Sequence, residues 1–342
     1  MTLLDIAKEL QSLLARLQGI SLRPPGEAAR ALIRLLGTAA RGALFKPDRQ
    51  PEDVELAAAE WRKAPQPWEA AELGLGTSQR AQQALDAMSP AERVEAERLF
   101  EEESDPERKA WILAAIGSGL TGAALVAYAR QLASLNAEQV RALDPIREDN
   151  ACQFVQPDGA TCGSSVIVMS RMLNVPAYAM YIQTGIDPRG VLPDATGTSP
   201  GKRFGDAALA MHDETNRWWP KFLGTLPGAV DDQMSHPDHP AGVPGTTYRS
   251  RLVDPKAPEV TYDAILDAVS RGHFVPLYCY GINQPGTGAH VTLIVGACGD
   301  TVTVYDPGRG GTFTMTRDEF NRGDLRGPTT WTTPLSVGLP EE

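Results

Sequence analysis

The 342-residue sequence predicts an α+β protein in two parts. An all-helical module spans residues 1–147. Residues 148–342 form a domain in which a cysteine-bearing helix packs on an antiparallel sheet carrying a histidine and an aspartate. Three observations predict this layout. Capped helix starts dominate the first part. All four cysteines and most of the glycine and proline fall after residue 145. A run of strand-like segments parted by Gly, Asp and Pro turns then leads toward the C-terminus. Hydrophobic residues at 42% and charged residues at 22% exclude wholesale disorder. The formal charge of −11 lacks the basic footprint that binding to nucleic acid or an anionic membrane requires.

Leu3, Leu4, Ile6, Leu10, Leu13, Leu14, Leu17 and Ile20 recur at helical spacing. Asp5, Lys8, Glu9 and Arg16 interrupt them, so the segment is no secretory signal. After the Pro24-Pro25 break, Leu32, Ile33, Leu35 and Leu36 supply another apolar face. Ser89-Pro90-Ala91-Glu92 opens a helix with Ser at the N-cap and Pro in the first turn. Residues 110–129 lack charge and are long enough to cross a bilayer. Their Gly, Ala, Ser and Thr content, with GSGLTG in the middle, reads instead as a buried helix or helical hairpin. Asn136-Ala137-Glu138 opens a further helix, which Asp144-Pro145 stops.

In the second part, Cys162 to Leu173 is an apolar-periodic helix, followed by a strand-like segment from Pro176 through Tyr181. Residues 182–250 are rich in Gly, Pro, Asp and Thr and read as a long insert with short elements at most. Thr261–Arg271 reads as a helix closed by Gly272, and Phe274–Tyr280 as a buried strand. His290–Val295, Thr301–Tyr305 and Thr312–Met315 form an antiparallel meander. Thr316-Arg317-Asp318-Glu319 matches a capping box that starts a short helix containing Phe320.

The sharpest chemical signal is QPDGATCG, residues 156–163, directly before the Cys162 helix. A cysteine on the first turn of a helix meets the positive end of the dipole and unpaired N–H groups, which favour the nucleophilic thiolate. Gln156, six positions upstream, can fold back so that its amide and the Cys162 N–H converge as an oxyanion hole. A nucleophilic thiol also needs a base, and the base an orienting acceptor. His290 begins a strand, and Asp306 ends the next one, so a hairpin brings them together. Each residue alone has an ordinary structural reading: Cys162 as core, His290 as a strand end, Asp306-Pro307-Gly308 as turn chemistry. The ordered set is what points to catalysis.

QPDGATCGSSVIVM, GAHVTLIVG and TVTVYDPGRGGTFTMTRDEF, within about residues 148–340, resemble the papain-like cysteine peptidase superfamily. The resemblance is to the bacterial branch that includes bacteriocin leader peptidases. It implies a papain-like fold and a Cys-His-Asp triad of Cys162, His290 and Asp306, with Gln156 as oxyanion donor and no cofactor. It also implies a thiol-dependent hydrolase acting on peptide or amide bonds. Two alternatives stand beside that: a glutamine deamidase or acyl or amide transferase on the same triad, and a non-enzymatic peptide-binding module. The long gap between Cys162 and His290 departs from the pattern and places the insert over or beside the cleft.

The expected partner is a protein or peptide substrate, with no nucleic acid, and residues 110–129 are the only membrane candidate. The N-terminal helices could serve regulation, docking to a partner protein or export. The expected compartment is the cytoplasm, without a signal peptide and with non-classical secretion open, a layout that also fits a bacterial effector. Asp231, Asp232, His236 and His239 fit no defined metal-ligand spacing, and no metal is expected. His212-Asp213-Glu214 reads as solvated surface. The Trp218-Trp219 pair reads as a loop anchor or as a wall of the substrate groove. Cys152 reads as a buried or incidental thiol, or as a redox regulator of Cys162. Cys279 reads as core, and Cys298 as an exposed turn residue.

Overall fold

The computed structural model describes residues 75–147, 150, 152–238, 240–280, 289–325 and 331–341. The expected faces at Leu3–Ile20 and Leu32–Leu36, and His239, lie outside the described residues.

Among the described residues five helices come first: α1 (Leu75–Ala87), α2 (Pro90–Glu102), α3 (Pro106–Gly117), α4 (Gly122–Ser134) and α5 (Ala137–Ala142). Local chemistry starts three of them. Ser89 and Glu92 form a reciprocal capping box at α2, as do Asn136 and Gln139 at α5, and the Asp105 carboxylate accepts the Arg108 N–H at α3. The uncharged stretch 110–129 folds as the hairpin of α3 and α4, turned at Gly119 with φ +85°. None of the described helices is long and apolar enough to cross a membrane. Ile112, Ile116, Leu125, Tyr128 and Leu132 pack as the core of this bundle, together with Ala177 and Met180 from further along the chain.

The helix α6 (Cys162–Asn174) has 11 of its 13 residues buried, so it lies inside the protein and not on it. Next come α7 (Pro176–Thr184), α8 (Pro200–Thr215), α9 (Pro227–Met234), β1 (Tyr248–Leu252) and α10 (Pro258–Ser270). The chain ends with β2 (Val275–Tyr280), β3 (Ala289–Cys298), β4 (Thr301–Asp306), β5 (Gly311–Thr316), α11 (Arg317–Arg322) and β6 (Thr333–Pro340). The six strands form one antiparallel sheet in the order β1-β6-β2-β3-β4-β5. Among the described residues the fold is therefore mixed α+β, with 11 α-helices and one six-stranded sheet.

Strand alternation divides the core into two layers. Val291, Leu293, Val295 and Tyr305 pack with Val166, Met169, Tyr178 and Phe204 on the α6 side. Ile294, Val302, Val304, Leu277 and Val337 pack with Tyr262, Ile265 and Phe320 of α10 and α11 on the other. The meander, the Thr316 capping box and the helix before Gly272 match the sequence reading.

Three expectations are corrected. The segment after Pro176 is the helix α7, not a strand: Pro176 opens it and Gly185 closes it in the left-handed region. Its run of buried residues, Pro176 to Met180, has no period, and an unbroken apolar run does not distinguish helix from strand. Residues 182–250 hold the 16-residue α8, as well as α9 and β1, and are no loop region. The residues Phe204, Ala208, Met211, His212 and Thr215 form a buried stripe on α8 at spacings of four, three, one and three. His212 is therefore buried instead of solvated. β6, between β1 and β2, had no counterpart in the sequence reading, because TPLSVGLP carries two prolines and a glycine.

The Tyr305 hydroxyl donates to the Phe154 carbonyl at 2.6 Å and so ties the segment before α6 to the sheet. Tyr305→Phe should lower stability by about 1–3 kcal/mol, because it leaves that buried carbonyl unpaired. Urea unfolding of the two full-length chains measures the difference.

Candidate active site

The loop into α6 is built by its own side chains. The Asp158 carboxylate accepts the Ala160 N–H at 2.8 Å, and Thr161 Oγ1 donates to the Asp158 carbonyl at 3.1 Å. Thr161 occupies the N-cap position without giving a side-chain cap to the helix. The first N–H groups of α6 thus keep their positive end for whatever stands before Cys162.

His290 is the second residue of β3, and Asp306 is the last of β4. Leu293 pairs with Tyr305, so extending that register sets Asp306 across from Thr292 and one diagonal step from His290. The imidazole Nε2 meets Asp306 Oδ1 at 2.7 Å. That oxygen also accepts the Gly308 N–H at 2.8 Å. The Cys162 side chain lies within interaction reach of the same imidazole and favours its charged form. Since Nε2 faces Asp306, Nδ1 is the nitrogen left for sulfur. All three side chains are buried.

Burial opposes a charge on His290. The Asp306 carboxylate, the hydrogen bond to it and the contact with Cys162 outweigh that, and hold the imidazole above its ordinary value of 6.5. Burial would raise Asp306, but the facing imidazolium and the Gly308 N–H hold it below its ordinary 3.8. Cys279 lies opposite His290 across β2 and β3, yet burial pushes its thiol far up, with Asp306 adding to the effect. It is a core thiol. Two thiols therefore lie near one histidine, Cys279 from the sheet and Cys162 from the first turn of α6.

Gln156 is held beside this centre through its backbone, whose N–H donates to the Pro307 carbonyl at 2.7 Å. Its side-chain Nε2 donates to the Asp158 carbonyl at 2.7 Å, which engages one of its two amide hydrogens. The second amide hydrogen is the one free to face an oxyanion. The Oε1 atom is buried without a partner.

Some expected roles fall elsewhere. Asp231 is spent on structure, accepting the Ser250 N–H at 2.6 Å and its hydroxyl at 2.9 Å. Cys152 is exposed, contrary to a buried thiol, and sits at φ +66°. Cys298 is exposed at the β3–β4 turn. The tryptophan pair divides: Trp219 is buried and Trp218 open. Trp331, which the sequence did not flag, stacks on His290 with ring centroids 5.8 Å apart and planes 23° apart. It follows no motif, and only the fold places it beside the histidine.

Comparison with protein-family models and with curated protein sequences finds no match.

Two titrations check the charge state of the centre. His290 is raised, so the stability it contributes is fully present below pH 6.5 and fades as pH climbs through its elevated value. Asp306 is lowered, so its contribution is present above pH 3.8 and fades on acidification through its depressed value. Histidine-selective NMR should therefore find His290 protonated above pH 6.5, and Asp306→Asn should bring its titration down toward that ordinary value.

Proposed function

We propose that the chain is a thiol-dependent hydrolase of peptide or amide bonds, with a papain-like cysteine peptidase architecture over residues 148–342. The observation that carries this reading is the convergence of Cys162, on the first turn of a buried helix, with a histidine bonded to a buried aspartate at 2.7 Å. Thiol, base and orienting acceptor are the three parts that acyl transfer through sulfur needs.

In this scheme His290 takes the Cys162 proton, and Asp306 supports the imidazolium. The thiolate attacks the carbonyl carbon, a C–S bond forms, and the carbonyl electron pair moves to oxygen. The Cys162 N–H and the second amide hydrogen of Gln156 receive that oxyanion. As the intermediate collapses, the C–N bond breaks and His290 gives its proton to the departing amine. Water, deprotonated by His290, then attacks the thioester and releases acid and thiol. An amine in place of that water would make the same centre a transferase, and a glutamine side chain as substrate would make it a deamidase. Trp331 stacks on one face of His290 and so covers that face of the imidazole.

Cys162 is only 5% exposed, which favours a second reading, a peptide-binding module without chemistry. The nearness of Cys162 to a histidine that is itself bonded to a buried carboxylate weighs against that reading, since a binding groove has no use for that arrangement.

Iodoacetamide alkylation at Cys162 decides between them. The hydrolase reading expects a rate already high near pH 6 that falls in His290→Ala, whereas a binding module shows an ordinary thiol unchanged by the substitution. Cys162→Ala should abolish labelling by a thiol-reactive peptide electrophile, and retained labelling would place the nucleophile elsewhere. Once a turnover substrate is found, Gln156→Ala should slow its turnover by about 10²–10³-fold, the cost of one oxyanion donor.

A further inference from the structure

The segment after α8 is closed at its base against the residue that follows the candidate nucleophile. A Cβ added at Gly163 would lie 2.8 Å from Thr225 Cβ, so backbone and side chain meet there with no room to spare. Tyr278 of β2 donates its hydroxyl to the Thr225 carbonyl at 3.1 Å. Across the base, Asn216 Nδ2 reaches Thr225 Oγ1 at 3.5 Å and His212 Nδ1 at 3.0 Å. His212 Nε2 donates to the Lys221 carbonyl at 3.0 Å. That acceptor fixes the ring proton on Nε2 and leaves Nδ1 to receive the Asn216 amide. Buried side chains thus hold this loop at both ends and in the middle.

What the loop displays is apolar. Trp219 turns inward and is buried, while Trp218 is 65% exposed and Phe222 is 39% exposed. Five of the eight well-exposed large apolar side chains among the described residues lie between 186 and 222, so the display is concentrated in this insert. Trp218 stands two residues from the Asn216 clasp, at most about 7 Å along the chain, and Phe222 three residues from Thr225, at most about 11 Å. Rigid aromatic side chains on a pinned loop lose little conformational entropy on contact, and they suit recognition more than packing.

We propose that Trp218 and Phe222 are specificity-determining residues that receive a bulky apolar side chain of an extended peptide substrate, within a few residues of the bond attacked at Cys162. The proposal rests on the hydrolase reading given above. The occupant is argued from position: the loop is joined to the turn of helix that bears the nucleophile, so a peptide lying across Cys162 passes it.

The test uses the full chain and pairs of peptide electrophiles identical except for one position, Leu or Phe in one member and Ala in the other, scanned along the peptide. The wild type should inactivate faster with the bulky member by at least about tenfold at one position, the range that one apolar side chain commands. Trp218→Ala and Phe222→Ala should each reduce that ratio severalfold, and the double variant should bring it near unity. Val260→Ala, equally exposed at 65% on α10, should keep the full ratio. A ratio near unity in the wild type, or one kept intact by the double variant, overturns the proposal. The alkylation assay on the wild type and His290→Ala separates the two failures. A fast, histidine-dependent thiol without side-chain preference sinks this inference alone, whereas an ordinary thiol sinks the hydrolase reading and this one with it.

Discussion

A carboxylate buried at the end of a strand costs several kcal/mol unless a cation and hydrogen-bond donors meet it. Asp306 is 2% exposed, and His290 Nε2 and the Gly308 N–H meet the same oxygen. The turn that supplies Gly308 also supplies the Pro307 and Gly310 carbonyls, which accept the N–H groups of Gln156 and Cys152. Gly310 has φ +70°, and a Cβ there would lie 2.7 Å from Val155, so the turn tolerates no larger residue. One turn therefore solves the electrostatic problem of Asp306 and also holds the segment that leads into α6. The acid, the histidine and the loop before the cysteine keep their relative places because they share this turn.

The same economy explains how the thiols differ. Cys162 and Cys279 both lie near His290 and both are buried, yet they belong to different core layers. Cys279 faces the apolar interior from mid-sheet, where burial and the nearby Asp306 carboxylate outweigh the support that Thr292 would give an anion. Cys162 opens a helix whose first N–H groups no side chain caps. The two thiols thus differ in the backbone that surrounds each sulfur, although both lie near the same histidine.

Much of this was legible in the sequence where signals are local. Ser89 with Glu92 and Thr316 with Glu319 announce helix starts through contacts three residues apart, and both form as read. The meander was readable because β3, β4 and β5 are parted by short Gly-, Asp- and Pro-containing turns. Cys162, His290 and Asp306 could be proposed together because each sits at the end of such an element. What stayed hidden depends on partners distant in the chain. β6 is a strand because β1 and β2 flank it, despite Pro334, Gly338 and Pro340. The stripe that buries His212 was masked by the Gly- and Pro-rich composition around α8. Trp331 reaches His290 only once the sheet has formed.

Ala177 and Met180 belong by sequence to the second part and by packing to the bundle of α1–α5. Val175, the residue that opens α7, also closes α6, so the bundle rests against the helix next in line to the one that carries the cysteine. Arg80 of α1 is likewise within electrostatic reach of Tyr248 and His273 in the sheet domain. In evolutionary terms the two parts are not freely exchangeable. A lineage that recombined residues 148–342 onto another partner would inherit an uncovered apolar face on α7, and would have to bring matching helices with it or replace both residues with polar ones.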